Sequence, residues 1–133
     1  MKESLDQQRA RFAWKCVQGQ DNEYVKLAKG APALIMASGL MPVLAFYQDK
    51  GRNHHEALLR HLCGWLCTQF VSHIPNAEFS TVMTALMGSG NGDAAAHARF
   101  YQHATAETMA ILRWIRQFAA AVSNGEKSGG PDA

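Results

Sequence analysis

The chain has 133 residues, a length that suits one domain able to bury a single core without disulfides or a structural metal. Thirteen Lys and Arg against eleven Asp and Glu give a formal charge of +2, which excludes the strongly basic class that wraps nucleic acid unaided. Any contact with an anionic partner must therefore be a local patch of cations.

Apolar residues recur at helical spacing almost throughout, and no segment of alternating polarity predicts a strand. The sequence therefore predicts an all-α fold, a compact single-domain bundle of about five to six helices over residues 1–122. Residues 123–133 are small and polar, and they are predicted to form a disordered tail.

The N-terminal segment carries a helix start and a stop. Ser4 followed by Gln7 has the form of a capping box, and apolar residues then recur at helical spacing until Gly19. The first helix is therefore predicted over about Ser4 to Gln18.

An apolar run from Leu27 to Phe46 follows. Its glycines and prolines argue against a membrane span, so its apolar residues are predicted to lie in the core. Pro32 is expected to kink the second helix or to start a new turn, and Gly39 is expected to cap its end. A third helix is predicted from Leu40 to Lys50.

Three further helices complete the predicted bundle. The fourth is expected from Asn53 to near Ile74, before a proline, and the fifth around Phe79 to Met87. The stretch Gly88 to Gly92 is predicted to be a mobile loop. Asp93 then caps the longest helix, which is expected to end at about Ser123.

The three cysteines, Cys16, Cys63 and Cys67, form an odd set. The first residues are charged and lack the apolar segment of a secretory leader, so a reducing cytoplasm is the expected location. Cys63 and Cys67 lie four apart near His61, but one such pair without a second is a weak metal signature.

A second interpretation is a metal-dependent helical-bundle enzyme built around His54, His55, Glu56 and His61. Di-metal bundles place Glu-x-x-His pairs facing inward, and neither Glu56 nor Glu107 is followed by His at that spacing. Most of the six histidines are therefore predicted to be solvated. No nucleophile elbow, phosphate loop or dinucleotide fingerprint is present, so no catalysis, metal or cofactor is expected.

A third interpretation is a stand-alone helix-turn-helix DNA regulator that uses the corner at Gly39 and Leu40. Its recognition helix would run from Leu40 to Lys50, which is too apolar to face a groove.

The three tryptophans lie among apolar helical positions. Two interpretations are open for Trp14, Trp65 and Trp114: they could form a platform on which bases stack, or they could anchor the core. We predict core anchors.

Cations recur at helical spacing on predicted surfaces, and guanidinium and ammonium groups neutralise phosphates without reading sequence. A solvated helix face is the alternative for each pair. The candidate contacts to an RNA backbone are Arg9, Arg11, Lys15, Lys26, Lys29, Arg113 and Arg116.

A series of short motifs in one order resembles a known family. In the N-terminal half these are Leu5-Asp6-Gln7, Ala13-Trp14, Leu27-Ala28-Lys29, Pro32-Ala33-Leu34-Ile35-Met36 and Gly39-Leu40; in the C-terminal half they are Leu58-Leu59, Trp65-Leu66, Glu107 and Ile111-Leu112-Arg113-Trp114-Ile115. Together they are similar to the small helical subunit of type III-B CRISPR effector (Cmr) complexes.

The resemblance implies that the chain functions as one subunit of an assembled complex. Members of that family are α-bundles that stack in a short filament beside the backbone subunits and the large subunit, along the groove where target RNA pairs with crRNA. The resemblance therefore implies a non-catalytic subunit in antiviral defence. Its partners would be the other Cmr subunits, neighbouring copies of itself, crRNA and target RNA, with no membrane.

Overall fold

A computed structural model describes the backbone of residues 3–128 and the side chains of residues 3–123. Within that part of the chain there are six α-helices and no strand, which confirms the predicted all-α class. The helices are α1 (Leu5–Val17), α2 (Asn22–Ser38), α3 (Leu40–Lys50), α4 (Asn53–Gln69), α5 (Phe79–Met87) and α6 (Ala94–Ser128).

Polar capping residues and a glycine set the ends of the first helices. The Ser4 side chain accepts a hydrogen bond from the Gln7 amide, and the Gln7 side chain accepts one from the Ser4 amide, so the capping box is complete. Asp21 caps α2 through the Tyr24 amide. Gly39 then separates α2 from α3 with φ +94°, a backbone conformation that favours glycine.

Two predicted helix ends are wrong. The fourth helix stops at Gln69 rather than near Ile74, because Phe70 leaves helical geometry and the amide of buried Ile74 closes a turn on the Phe70 carbonyl. The last helix continues to Ser128 instead of ending at about Ser123. Gly125 weakens that helix by about 1 kcal/mol relative to alanine without ending it. Of the predicted tail, residues 129–133 lie outside the described residues.

The core lies between α4 and α6, with α1 and α2 packed along α6 and α3 closing the side formed by α2 and α4. Half of the large, fully buried core side chains come from α4 and α6. Those that are less than 2% exposed include Leu58, Leu62, Trp65, Leu66, Ile111 and Leu112.

The prediction that the whole apolar run lies in the core is only partly correct. Tyr47 and Leu44 are buried, but Leu34 is 40%, Met36 79% and Phe46 44% exposed. A helix that packs on one side leaves the other side to solvent, whatever its residues are. The exposed residues of this region, here called the corner surface, are Gly30, Ala33, Leu34, Met36, Ala37, Ser38, Pro42, Ala45 and Phe46.

Candidate nucleic-acid interface

Helix α6 is flanked on one side by α1 and on the other by α2. The two contacts from α1, Arg9 to Glu107 and Trp14 to Phe118, show that α1 and α6 run in the same direction. At the start of α2 the Ser123 hydroxyl donates to Asn22, and just beyond its end the amide of Met41, in the first turn of α3, donates to the Tyr101 hydroxyl. Helices α2 and α6 are therefore antiparallel, and the outer side of α6 faces solvent between them.

Arg9, one of the predicted RNA contacts, is engaged inside the protein. Its Nε and Nη2 each donate to the Glu107 carboxylate at 2.7 Å, and its Nη1 donates to Asp6 at 2.8 Å. The Trp65 indole also donates to Glu107, at 3.0 Å. This Arg9–Glu107–Trp65 clamp joins α1, α4 and α6, so Arg9 is better explained as a structural residue than as a phosphate contact.

The electrostatics of the clamp agree with its geometry. The Arg9 hydrogen bond lowers the pKa of the Glu107 carboxyl, with burial acting in the opposite direction. The same bond raises the pKa of Arg9, so both partners stay charged. Arg9 and Glu107 are 98 residues apart, and no local pattern in the sequence indicates their pairing.

Two further candidates lie on α1. Arg11 is 67% exposed in its side chain and pairs with Glu3, which is itself at the surface. Lys15 is exposed, and the structure gives it no ion pair among residues 3–123. Exposed pairs of this kind contribute about 0–1 kcal/mol, so a phosphate could displace Glu3 from Arg11 at small cost.

The remaining four candidates lie on α2 and α6, and all are exposed. Lys26 pairs with Glu23 at 3.7 Å, with both side chains largely in solvent. Lys29 lies seven residues after Asn22, and Arg116 lies seven residues before Ser123. Because Asn22 and Ser123 are hydrogen-bonded and the helices are antiparallel, Lys29 and Arg116 lie at a similar level of the bundle.

Arg113 lies on the same outer side of α6, nearer to α1. Together with Asp6, Trp114 and Gln117 it lines a surface recess of about 270 Å³. Neither Arg113 nor Arg116 forms an ion pair with any side chain of residues 3–123. The outer side of α6 with its neighbours, here called the α6 face, comprises Lys29, Arg113, Arg116 and Gln117.

The edge of the α6 face next to α1 is aromatic, and the sequence interpretation missed it. Trp14, predicted to be a core anchor, is 51% exposed, whereas Trp65 is buried as predicted. Trp14 meets Phe118 at a centroid distance of 5.5 Å and 90°, and Phe118 meets half-buried Trp114 at 5.7 Å. In the sequence, the apolar stripe of the first helix passes through Ala13 and Val17 and leaves Trp14 at its margin. That position was the signal from which the exposure of Trp14 could have been predicted.

A comparison against known families identifies the chain. A family model described as "CRISPR-associated protein (Cas_Cmr5)" matches residues 5–122, most of the chain. The chain belongs to the Cas_Cmr5 family. It is therefore a small CRISPR-associated subunit of a type III-B system, and the family implies membership in a Cmr complex with other subunits. No curated protein matches the sequence.

Within this Cas_Cmr5 chain, the histidines of the metal-enzyme interpretation have separate surroundings. His61 Nδ1 and the Tyr24 hydroxyl are hydrogen-bonded at 2.7 Å, and burial lowers the pKa of His61 to about 4. Most of the histidines were predicted to be solvated, and His55 is an exception because it is buried against the rings of Phe46 and Tyr47. Across the described residues, no group of three or more His, Cys, Asp or Glu side chains could hold a metal ion.

The helix-turn-helix interpretation fits this Cas_Cmr5 fold poorly. Helix α3 buries Leu40, Val43, Leu44 and Tyr47, and its only cation is Lys50 at the last position. A helix that reads a DNA groove needs polar and basic side chains along its exposed side.

None of the helices within residues 3–128 is both long and apolar enough to cross a membrane.

Proposed function

We propose that the chain is a non-catalytic, cytoplasmic subunit that helps to hold target RNA in a type III-B effector complex for antiviral defence. In this proposal base pairing with crRNA reads the target sequence, and the protein contacts the sugar-phosphate backbone. The observation that supports it most is the α6 face, where exposed cations from two helices have no carboxylate partner among the described side chains.

The cations of the α6 face are clustered, and clustered cations suit a polyanion better than cations scattered over the surface would. The chain has a net charge of only +2, so attraction of RNA depends on where the cations lie. Lys29, Arg113 and Arg116 come together on neighbouring helices, and Lys26 lies one turn before Lys29 on α2. Phosphate contacts of this type position a nucleic acid without reading its sequence.

We also propose that the chain stacks against neighbouring copies or other Cmr subunits, and the corner surface supports this second part of the proposal. Its residues are uncharged, and Leu34, Met36 and Phe46 together expose apolar area that water solvates poorly. Its residues carry no cation of their own, although the Lys50 ammonium lies at its edge, 5.5 Å from the centre of the Phe46 ring, so a protein neighbour suits it better than a polyanion.

The surroundings of two cysteines support the proposal that the chain is non-catalytic. Cys16 and Cys63 are buried, and burial raises the pKa of each thiol to about 12. The nucleophilic thiolate is therefore disfavoured at both positions.

Charge reversal on the α6 face tests the RNA proposal. The double variant R113E/R116E, assembled into the complex with crRNA, should retain target RNA less well. The slope of the logarithm of affinity against the logarithm of salt concentration should fall by about one for each phosphate that the variant no longer neutralises. The matched control is R52E/R60E, which makes the same charge change at exposed positions at the start of and along α4. Equal affinity and slope in both variants would refute the assignment of the α6 face.

Charge reversal of Arg11 and Lys15 extends the same test to α1. If these residues also contact phosphates, R11E/K15E should lower the affinity and the salt slope in the same way. Unchanged retention of target RNA at several salt concentrations would remove this pair from the interface.

A further inference from the structure

The aromatic edge of the α6 face consists of Trp14, Trp114 and Phe118. Contacts with the sugar-phosphate backbone of RNA do not account for these three rings. A tryptophan that is 51% exposed in the last turn of α1 leaves a large apolar surface in water. Trp14 is nevertheless held in place, since Ala13 and Val17 on either side of it in the sequence are buried and its ring meets Phe118.

We propose that the aromatic edge stacks an unpaired base of RNA whose phosphates lie on the cations of the α6 face. The proposal rests on the function proposed above and names the part of the RNA that this edge would recognise. Proteins that bind single strands combine a cationic track with aromatic side chains on which bases stack. Arg113 is adjacent in sequence to Trp114, so the two kinds of group meet directly at this edge.

The recess beside the edge adds polar groups suited to a base. Arg113 and Gln117 line it and offer guanidinium and amide donors, and Gln117 and Asp6 offer acceptors. A base stacked on Trp14 or Trp114 could therefore present its polar edge to side chains on the same surface. These groups have no fixed pattern that would select one base, so the expected stacking is tolerant of sequence.

Two observations favour unpaired RNA over other occupants. The bases of an A-form duplex are stacked on one another, and aromatic side chains reach only bases that are splayed out. A protein partner on this edge would need carboxylates to match Arg113 and Arg116, which lack ion pairs within residues 3–123. An RNA strand supplies planar apolar bases and anionic phosphates together.

The test compares two single-stranded probes of equal length and charge, oligouridylate and an abasic ribose-phosphate oligomer, on the full chain at low salt. Wild-type protein should bind oligouridylate about 5- to 100-fold more tightly than the abasic oligomer, with quenching of tryptophan fluorescence. The W14L variant should lose most of this preference, whereas W14F should keep much of it. Unchanged thermal unfolding of W14L shows that the loss is not a folding defect.

The outcomes separate the two proposals. If both oligomers bind equally to wild-type protein with a clear salt dependence, stacking is refuted and backbone contact stands. If neither oligomer binds, the stacking proposal is refuted, whereas backbone contact is decided separately by retention of target RNA in complexes assembled with R113E/R116E. If W14L leaves oligouridylate affinity unchanged but lowers incorporation into the Cmr complex, the edge is a protein contact and the stacking proposal is overturned.

Discussion

The corner surface and the α6 face are both exposed, but they are built in opposite ways. The corner surface comes from one continuous stretch of chain around Gly39 and carries no charge. The α6 face draws cations from α2 and α6 and an aromatic edge from α1 and α6, so it exists only when distant segments pack. One surface therefore depends on local backbone geometry, and the other depends on the contacts that align three helices.

The largest expected effect comes from the clamp that aligns α1 with α6. E107A removes a carboxylate that is 5% exposed, so the Trp65 indole loses its acceptor and the Arg9 guanidinium keeps only the exposed Asp6 as a partner. We expect the free energy of unfolding to fall by about 3–5 kcal/mol in denaturant titrations. E56A, at an exposed glutamate on α4, should change it by less than about 0.5 kcal/mol. A small effect of E107A would mean that α1 is held without the clamp.

The next largest effect tests whether the corner surface depends on local backbone geometry at Gly39. Gly39 has φ +94° and ψ 161°, where a Cβ is strained, so G39A should cost about 1–3 kcal/mol. Gly30 is helical and exposed, with nothing within 4 Å of an added Cβ, so G30A should stabilise the protein by about 0.5–1 kcal/mol. Thermal unfolding of the two variants should shift in opposite directions, and shifts of the same sign would contradict this account of the corner.

A third prediction concerns pH, through the contact that joins α2 to α4. The folded pKa of His61 is about 4 and its ordinary value is 6.5, so between these values the unfolded chain binds a proton that the folded chain does not. Stability should therefore fall as the pH is lowered through this window. The full shift corresponds to about 3 kcal/mol, and solvent contact of the half-buried ring reduces the expectation to about 1–2 kcal/mol.

Equilibrium unfolding at several pH values measures this contribution. H61Q keeps a hydrogen-bonding side chain near Tyr24 and should lose less stability than wild type between pH 6.5 and 4. H73Q, at an exposed histidine, is the control and should keep the wild-type slope. Parallel slopes for wild type and H61Q would show that the His61–Tyr24 contact does not couple the fold to pH.

The smallest effect on stability is expected at the corner surface itself. Met36 is 79% exposed, so M36E should change the free energy of unfolding by less than about 0.5 kcal/mol. If a protein neighbour covers the corner surface, M36E should nevertheless lower incorporation into the reconstituted complex. M87E makes the same change at a methionine that is 62% exposed on α5 and should leave assembly unchanged. Equal incorporation of both variants would argue against a subunit contact at the corner.

The fold was largely predictable from local signals. The capping box at Ser4, the glycine at 39 and the cap at Asp93 each act within a few residues, and the corresponding helix starts were predicted. The end of α4 was missed because it depends on how Phe70 packs: its ring lies against Phe100 at 5.5 Å, a contact between distant segments.

The candidate site was only partly predictable. Helical spacing identified Arg113 and Arg116 as a pair and placed Lys29 on a surface, and the structure agrees that all three are exposed. The same reasoning gave Arg9 an RNA contact, although its partner Glu107 lies 98 residues away. Trp14 was assigned to the core because it lies among apolar helical positions, but it stands at the margin of the apolar stripe, and its packing beside α6 leaves it 51% exposed.

By itself, the sequence determined the helical class, most helix boundaries and the family, since these follow from short-range spacing and from the order of motifs along the chain. Only the tertiary structure decided which cations remain at the surface and which is consumed in the clamp. It also decided that the corner surface is partly exposed and that an aromatic edge borders the α6 face. The physical reason is that exposure and ion pairing are properties of packed neighbours, and those neighbours lie far apart in the chain.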